Sequence, residues 1–157
     1  MCSSDLQLSQ QLGHTVAVDN RPGAGGAIGA EIGARAAPDG YTLTAGSSGA
    51  FSVSPHLASK LGYDPLRDFA PVGMYSAFAY VLLVHPSIPA RSIRELIALA
   101  KAQPGKLNFG SAGNASGNHL ATEQFQSLAG VKLTHVPFKG GAPALTALMA
   151  GEIDLAF

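Results

Sequence analysis

The hydrophobic positions of this chain fall into short runs separated by clusters of glycine, proline and small polar residues, and after residue 92 the runs alternate between helical and extended spacing. Ser92-Ile-Arg-Glu95 is a capping box, with Ser92 placed to take an orphan N–H and Glu95 to reach back. The helix it starts should bury Ile93, Leu96, Ile97 and Ala100 and stop before Pro104. Leu107 to Phe109, after the breaker pair Pro104-Gly105, reads as a buried strand. Leu120 to Leu128 reads as a helix closed by Gly130, and Lys132 to Val136 as a strand. Pro143 suits the first turn of a helix with Leu145, Leu148 and Met149 inward; Gly151 ends it and a strand begins at Ile153. A β-α-β-α-β order of this kind demands parallel strands joined by crossovers.

The first half is punctuated more densely. Leu6 to Leu12 is helical and ends at Gly13; Thr15 to Val18 is extended. The loop Asn20 to Gly26 leads into a helix with Ile28, Ile32 and Ala36 on one face, stopped by Pro38-Asp-Gly40. Tyr41 to Ala45 reads as a strand, His56 to Leu61 as a short helix, and Tyr63 to Asp68 as turns. Pro71 to Tyr75 and Ala79 to Val84 are further apolar runs, the second strongly β-forming. Pro86 and Pro89 mark a boundary, giving a first lobe over 1–84 and a second over 85–157. The chain opens in a helix with no strand before it and closes inside a strand, so both lobes are expected to be incomplete.

Composition narrows the class. Ten basic and ten acidic residues cancel among 157, and no basic run exists, which sets nucleic-acid binding aside. No apolar run reaches the length of a bilayer span. Only 13% of residues are charged against 46% hydrophobic, with 19 glycines, which suits a parallel sheet buried under helices. A single cysteine, Cys2, excludes an intrachain disulfide and a zinc cluster.

The candidate chemistry sits in polar loops at strand ends, where ligands of open α/β sheets bind. The central loop after Phe109 passes through Gly110-Ser-Ala-Gly-Asn114 and reaches Ser116, Asn118 and His119 before its helix. A strand emptying through such residues into a helix leaves unpaired N–H groups and a positive dipole end, an anion site without a basic residue. Gly46-Ser47-Ser48-Gly49 and Pro137-Phe-Lys139-Gly-Gly141 are two further loops of this kind. Lys139 is either solvated or an anion contact. Gly23, Gly25, Gly26 and Gly29 suggest a dinucleotide fingerprint, but the third glycine falls one place late and no acidic residue follows at the ribose position. A tight turn with close helix packing is the preferred reading there. Ser111, His119 and Asp154 can be written as a triad, yet neither serine loop matches the Gly-x-Ser-x-Gly elbow. His119 and Glu123 have i,i+4 spacing, a surface contact sooner than a metal site; His135, inside a strand, reads as structural. Tyr41, Phe51, Tyr63, Phe78 and Phe125 read as core or rim aromatics.

Five ordered segments carry a family resemblance: Asp19-Asn-Arg-Pro-Gly-Ala-Gly-Gly26, Ala37-Pro-Asp-Gly-Tyr41, Tyr63-Asp-Pro-Leu-Arg-Asp-Phe-Ala-Pro71, Pro104-Gly-Lys-Leu-Asn-Phe-Gly-Ser-Ala-Gly-Asn114 and Val136-Pro-Phe-Lys-Gly140. Together they resemble the substrate-binding receptors of tripartite tricarboxylate transporters, the Bug receptors, over nearly everything from Leu6 to Phe157. The resemblance implies an α/β, type II periplasmic-binding-protein-like fold of two lobes with mainly parallel sheets. It implies a monomeric periplasmic receptor that closes on a small carboxylate and delivers it to the membrane components of the transporter. No chemistry, cofactor or metal is expected. Members usually begin with a signal peptide, a strand and a Pro-Gly-Gly loop, and continue past the residue matching Phe157, so this chain resembles the middle half of a receptor. The family's binding loops correspond to Ser47, Ser48 and Gly49 on the first lobe, and to Gly110, Ser111, Ala112, Gly113, Asn114 and His119 on the second, with Lys139 as a further candidate. The competing reading is a fragment of an α/β hydrolase or of a nucleotide-using enzyme.

Overall fold

A computed structural model describes residues 3–58, 60–77 and 79–157; Cys2 and Phe78 lie outside the described residues. Among the described residues, six α-helices run over Ser3–Leu12 (α1), Ala27–Ala34 (α2), Ser54–Leu57 (α3), Ile93–Ala102 (α4), Gly117–Ala129 (α5) and Gly141–Met149 (α6). Four strands run over Leu83–Val84 (β1), Asn108–Ser111 (β2), Thr134–Pro137 (β3) and Leu155–Ala156 (β4). A 3-10 turn over Ala24–Gly26 leads into α2, and a π turn over Gly49–Val53 leads into α3.

The strands form one mixed sheet in the order β1-β4-β2-β3. β2 runs parallel to both β3 and β4, as the alternating pattern requires, while β1 pairs antiparallel with β4. Helices cover both faces because alternate residues of β2 point to opposite sides. Phe109, fully buried, packs with Leu96 and Ala100 of α4, Leu107, Leu133 and Leu155, with Phe125 of α5 against them. On the other face a Cβ at Gly110 would run into Ile153 and meet Ala144 of α6 at 3.4 Å, so α6 sits directly on the sheet. Ala147, Leu148, Ile153 and Ala156 complete that second layer. The start of β2 is fastened to the segment before β4: Asn108 N–H donates to Asp154 Oδ2 at 2.7 Å, and Asp154 N–H to Asn108 Oδ1 at 2.9 Å.

A separate small core forms in the first half from Ala30, Ala50 and Tyr63. Phe51, Tyr63 and Phe69 pack their rings together around it, and the Tyr63 hydroxyl donates to the Ala50 carbonyl at 2.6 Å.

Several expectations need correction. Thr15–Val18, Tyr41–Ala45 and Pro71–Tyr75 are not strands, and of Ala79–Val84 only Leu83 and Val84 pair. A strand exists through its hydrogen-bonded neighbour, and no strand partner lies against those segments among the described residues. Tyr41 is accordingly exposed rather than core or rim. In α2 the buried residue is Ala30, whereas Ile28 and Ile32 are exposed and Ala36 lies past the helix end. In α6, Leu148 faces inward as expected, with Ala144 and Ala147, while Leu145 and Met149 are exposed; Ala144 takes the position seated against Gly110. Ile93 is exposed as well. The short helix before Leu61 runs instead over Ser54–Leu57. The Ser92 cap forms, accepting from Glu95 N–H at 3.2 Å, but Glu95 reaches Arg91 N–H, one residue before the position a capping box would use.

Candidate functional site

Three helices begin around one cavity. It occupies about 280 Å3 and is lined by Pro22, Gly23, Gly25, Gly26, Ser47, Ala112, Ser116, Gly117, Asn118 and Gly140. Gly26, Ser116 and Gly140 are the N-cap residues of α2, α5 and α6, and none of the three makes a side-chain cap hydrogen bond. The contrast with α4 is informative, since its N-cap Ser92 does cap its helix. An uncapped helix start keeps its positive dipole end exposed, although at α2 the first N–H, that of Ala27, is already taken by the Ala24 carbonyl of the preceding 3-10 turn. No charged side chain lines the cavity. A larger open concavity of about 650 Å3 runs along Val84–Arg91 to Glu95. One stretch with Glu95 walls it, and the nearby helix start is closed by Ser92, so no free helix start faces it.

Local hydrogen bonds explain why Ser116 leaves α5 uncapped. Its hydroxyl is drawn to the Gly113 carbonyl at 2.7 Å and to Asn118 Oδ1 at 2.8 Å. Asn118 Oδ1 also accepts the Ala112 N–H at 3.3 Å, so this amide ties the loop to the first helical turn. Ser111 is fully buried behind the loop; its Oγ takes the Gly113 N–H and donates to the Gly113 carbonyl, both at 3.1 Å, and lies 2.6 Å from His135 Nε2.

Backbone approaches backbone where the two halves of the chain meet. A Cβ at Gly25 would lie 2.5 Å from the Asn114 carbonyl oxygen and 3.1 Å from Ser116 N, and one at Gly49 would collide with the Ala115 carbonyl oxygen. Only glycine permits contacts of this closeness. Ala24 and Ala115, at φ 46° and 59°, are the two non-glycine residues with positive φ among those described, and both belong to this meeting point. Strain of that kind gathers where the surroundings over-determine a conformation.

The residues expected to bind ligand are therefore distributed unevenly. Ser47 and Ala112 line the cavity. Gly49 is buried against Ala115 and Ser116. Ser48 is exposed, with Oγ 3.7 Å from where a Gly117 Cβ would lie, next to the Tyr80 hydroxyl. Gly110 is buried against α6, and Gly113 packs 3.4 Å from Gly25 N by the same measure. Asn114 and Lys139 are exposed and outside the lining. His119 keeps Nδ1 on the Ala115 N–H at 3.1 Å and Nε2 at 3.6 Å from Glu123 Oε1. The triad is not assembled: the imidazole on Ser111 is His135, and Asp154 is bonded to Asn108 at the opposite end of β2. Sequence reasoning placed Asn118 and Gly140 in polar loops without assigning them to the ligand, and passed over the Pro22–Gly26 turn and Gly117 as cavity residues. The signal for the Pro22–Gly26 turn was the glycine cluster itself, read only as a packing turn. Among the described residues no His, Cys, Asp and Glu group could hold a metal, and no helix is long and apolar enough to cross a membrane.

Comparisons with known proteins agree on one family. The family model described as tripartite tricarboxylate transporter family receptor matches residues 3–157. A UPF0065 protein of Bordetella pertussis is 39% identical over 154 residues, 97% of this chain and 47% of that protein. Among solved structures, Rpa4515 of R. palustris with adipate superposes at a TM-score of 0.92 with 36% identity, over 97% of this chain and 51% of that one. MatC from Rhodopseudomonas palustris, with bound malate, gives a TM-score of 0.88 and 33% identity, over 97% and 52%. The chain thus spans about half the length of the relatives it matches. It belongs to the tripartite tricarboxylate transporter receptor family.

Proposed function

We propose that the receptor containing this chain captures a small carboxylate in the cavity between its two halves and delivers it, unchanged, to the membrane components of a tripartite transporter. The observation carrying this reading is the convergence of three uncapped helix starts, Gly26, Ser116 and Gly140, on one cavity with no charged wall. Unpaired N–H groups at helix starts suit a carboxylate, and the relatives solved with adipate and malate point to the same ligand class. Ser47 and Ala112, with Asn118, touch the ligand on this reading. Ser48, Gly49, Gly110, Ser111, Gly113 and Asn114 shape the loops around it, and Lys139 stands beside Gly140 as an outer contact. The lobes divide at 1–84 and 85–157, with β1, at the end of the first, pairing into the sheet that carries the second. The setting is the periplasm and the receptor acts as a monomer.

The test adds a competing anion to the cavity wall. In the receptor expressed from its complete reading frame, Ser47→Asp should weaken dicarboxylate binding roughly ten- to a hundredfold, the repulsion of like charges a few ångström apart. Calorimetric titration with a panel including adipate and malate reads this. A wild-type receptor that binds no member of the panel, or an unchanged affinity in Ser47→Asp, would sink the proposal.

A further inference from the structure

Two histidines behind the binding loop are engaged with each other and with its backbone. His119 and His135 stack with ring centroids 4.0 Å apart and planes 9° from parallel, and Phe109 continues the stack beside His135. His135 Nε2 meets Ser111 Oγ, which in turn holds Gly113. His119 Nδ1 accepts the Ala115 N–H, which fixes this ring as the neutral Nε2–H tautomer with its proton toward Glu123. Ala115 is held at φ 59°, where a side chain is disfavoured, and its carbonyl is the atom that Gly49 approaches from the other half of the chain. One imidazole lone pair thus holds a strained residue at the contact between the two halves of the chain.

We infer that His119 and His135 are positioning residues of a proton-sensitive latch, in which protonating the pair releases Ala115 and loosens the closed cleft. This rests on the receptor reading above. A proton on His119 Nδ1 turns the acceptor into a second donor aimed at the Ala115 N–H, and that bond is lost. A proton on either ring also sets a cation against its stacked neighbour. The titratable and charged groups facing His135 are His119 and Glu123, both of α5; β2 faces it with Phe109 and Ser111, which carry no charge. Burial pushes the His135 imidazole below its usual range, His119 pushes it the same way, and Glu123 opposes them in part. On this inference the latch opens as the medium turns acid.

The test uses the receptor expressed from its complete reading frame, labelled with nitrogen-15. Without ligand, the Ala115 amide resonance should titrate between about pH 8 and pH 5, the range in which imidazole changes charge. It should stay still in His119→Asn, whose Oδ1 can accept the same N–H but takes no proton. His135→Gln keeps a donor for Ser111 and leaves the His119 bond to Ala115 in place, so the Ala115 amide should still move with pH. With adipate as the probe, wild type should lose roughly five- to tenfold more affinity than His119→Asn between about pH 7.5 and 5.5, the worth of one hydrogen bond. Both proteins share the acid's own ionisation, so the difference belongs to the latch. A motionless Ala115 amide in wild type, or equal losses in the two proteins, overturns the inference. If neither adipate nor malate binds wild type at neutral pH, the receptor reading is what fails, and the ligand-free Ala115 amide decides the latch by itself.

Discussion

Gly49→Ala separates closure from folding. Gly49 sits in the Gly49–Val53 turn with no left-handed backbone, so alanine meets no conformational penalty there. Alanine is in fact the better helical residue by about 1 kcal/mol. The added methyl would instead strike the Ala115 carbonyl oxygen and lie 3.3 Å from Ser116 Cα. Both are backbone atoms, and Ala115 is already strained, so neither can swing aside as a side-chain tip would. Crowding of this sort costs about 1–3 kcal/mol. On the proposed reading the whole cost falls on the closed state, since an open cleft no longer brings Gly49 to Ala115. Dicarboxylate affinity should drop roughly five- to 150-fold, while the ligand-free thermal midpoint stays level or rises. Titration calorimetry and a ligand-free melt on the complete receptor read the two quantities. Small-angle scattering should show less compaction on ligand addition than wild type. Gly73→Ala, which meets nothing within 4 Å, is the control. An affinity within about twofold of wild type would refute the reasoning, because the Gly49–Ala115 approach would then be irrelevant to the bound state.

Three further outcomes follow from the same geometry. Phe109→Ala empties the centre of the larger core and should cost about 3–5 kcal/mol in urea unfolding; a loss under about 1 kcal/mol would mean the sheet does not depend on this ring. Ser92→Ala removes the side-chain cap of α4 and should cost about 1 kcal/mol, measured in the same way, with no effect expected from Ser116→Ala on helix capping as such. Stability should also depend on pH through His135. Its folded pKa is depressed below the ordinary 6.5, so the unfolded chain binds the proton more readily. Its contribution is therefore complete above 6.5 and is lost as pH falls from there through the folded value; a melt whose midpoint rises on acidification across that window would contradict the assignment.

The second half of the chain was legible because its signals are local. The Ser92 cap, the Pro104-Gly105 break, the Gly130 helix end and the alternating runs each act within a few residues, and β2, β3, β4, α4, α5 and α6 follow from them. What periodicity could not tell was how close α6 would sit. Ala144 lies against Gly110, remote in sequence but in direct contact across the fold, and that closeness suits an alanine at the contact. The first half was read less well for a related reason. Tyr41–Ala45 and Pro71–Tyr75 have strand-like composition, but pairing is a property of a neighbour and not of the segment. The site was legible as a kind before it was legible residue by residue. The loop after Phe109 announced an anion site, yet which donors face the cavity depends on Ser116 turning back to Gly113 and Asn118, a choice among nearby acceptors that the spacing leaves open.

The absence of charge from the cavity wall bears on how such a receptor can work. Each helix start contributes roughly half a positive charge, so three of them approach the two negative charges of a dicarboxylate without a single lysine or arginine. A basic side chain in the same place would have to be desolvated as the cleft closes, and would stand unpaired whenever the cleft closed empty. Helix starts do not share that difficulty, because their donors are part of the backbone and their opposite charge is spread along the helix. They also need small residues at the N-cap, and Gly26, Ser116 and Gly140 meet that need. The same smallness lets Gly25 and Gly49 bring backbone against backbone across the cleft. On this reading the carboxylate is recognised by what nearly any sequence could supply, and the choice among acids is left to the few side chains that differ in shape: Pro22, Ser47, Ala112 and Asn118. Exchanging those four should change which acid binds far more than whether acids bind, and a panel titration of such exchanges distinguishes the two effects directly.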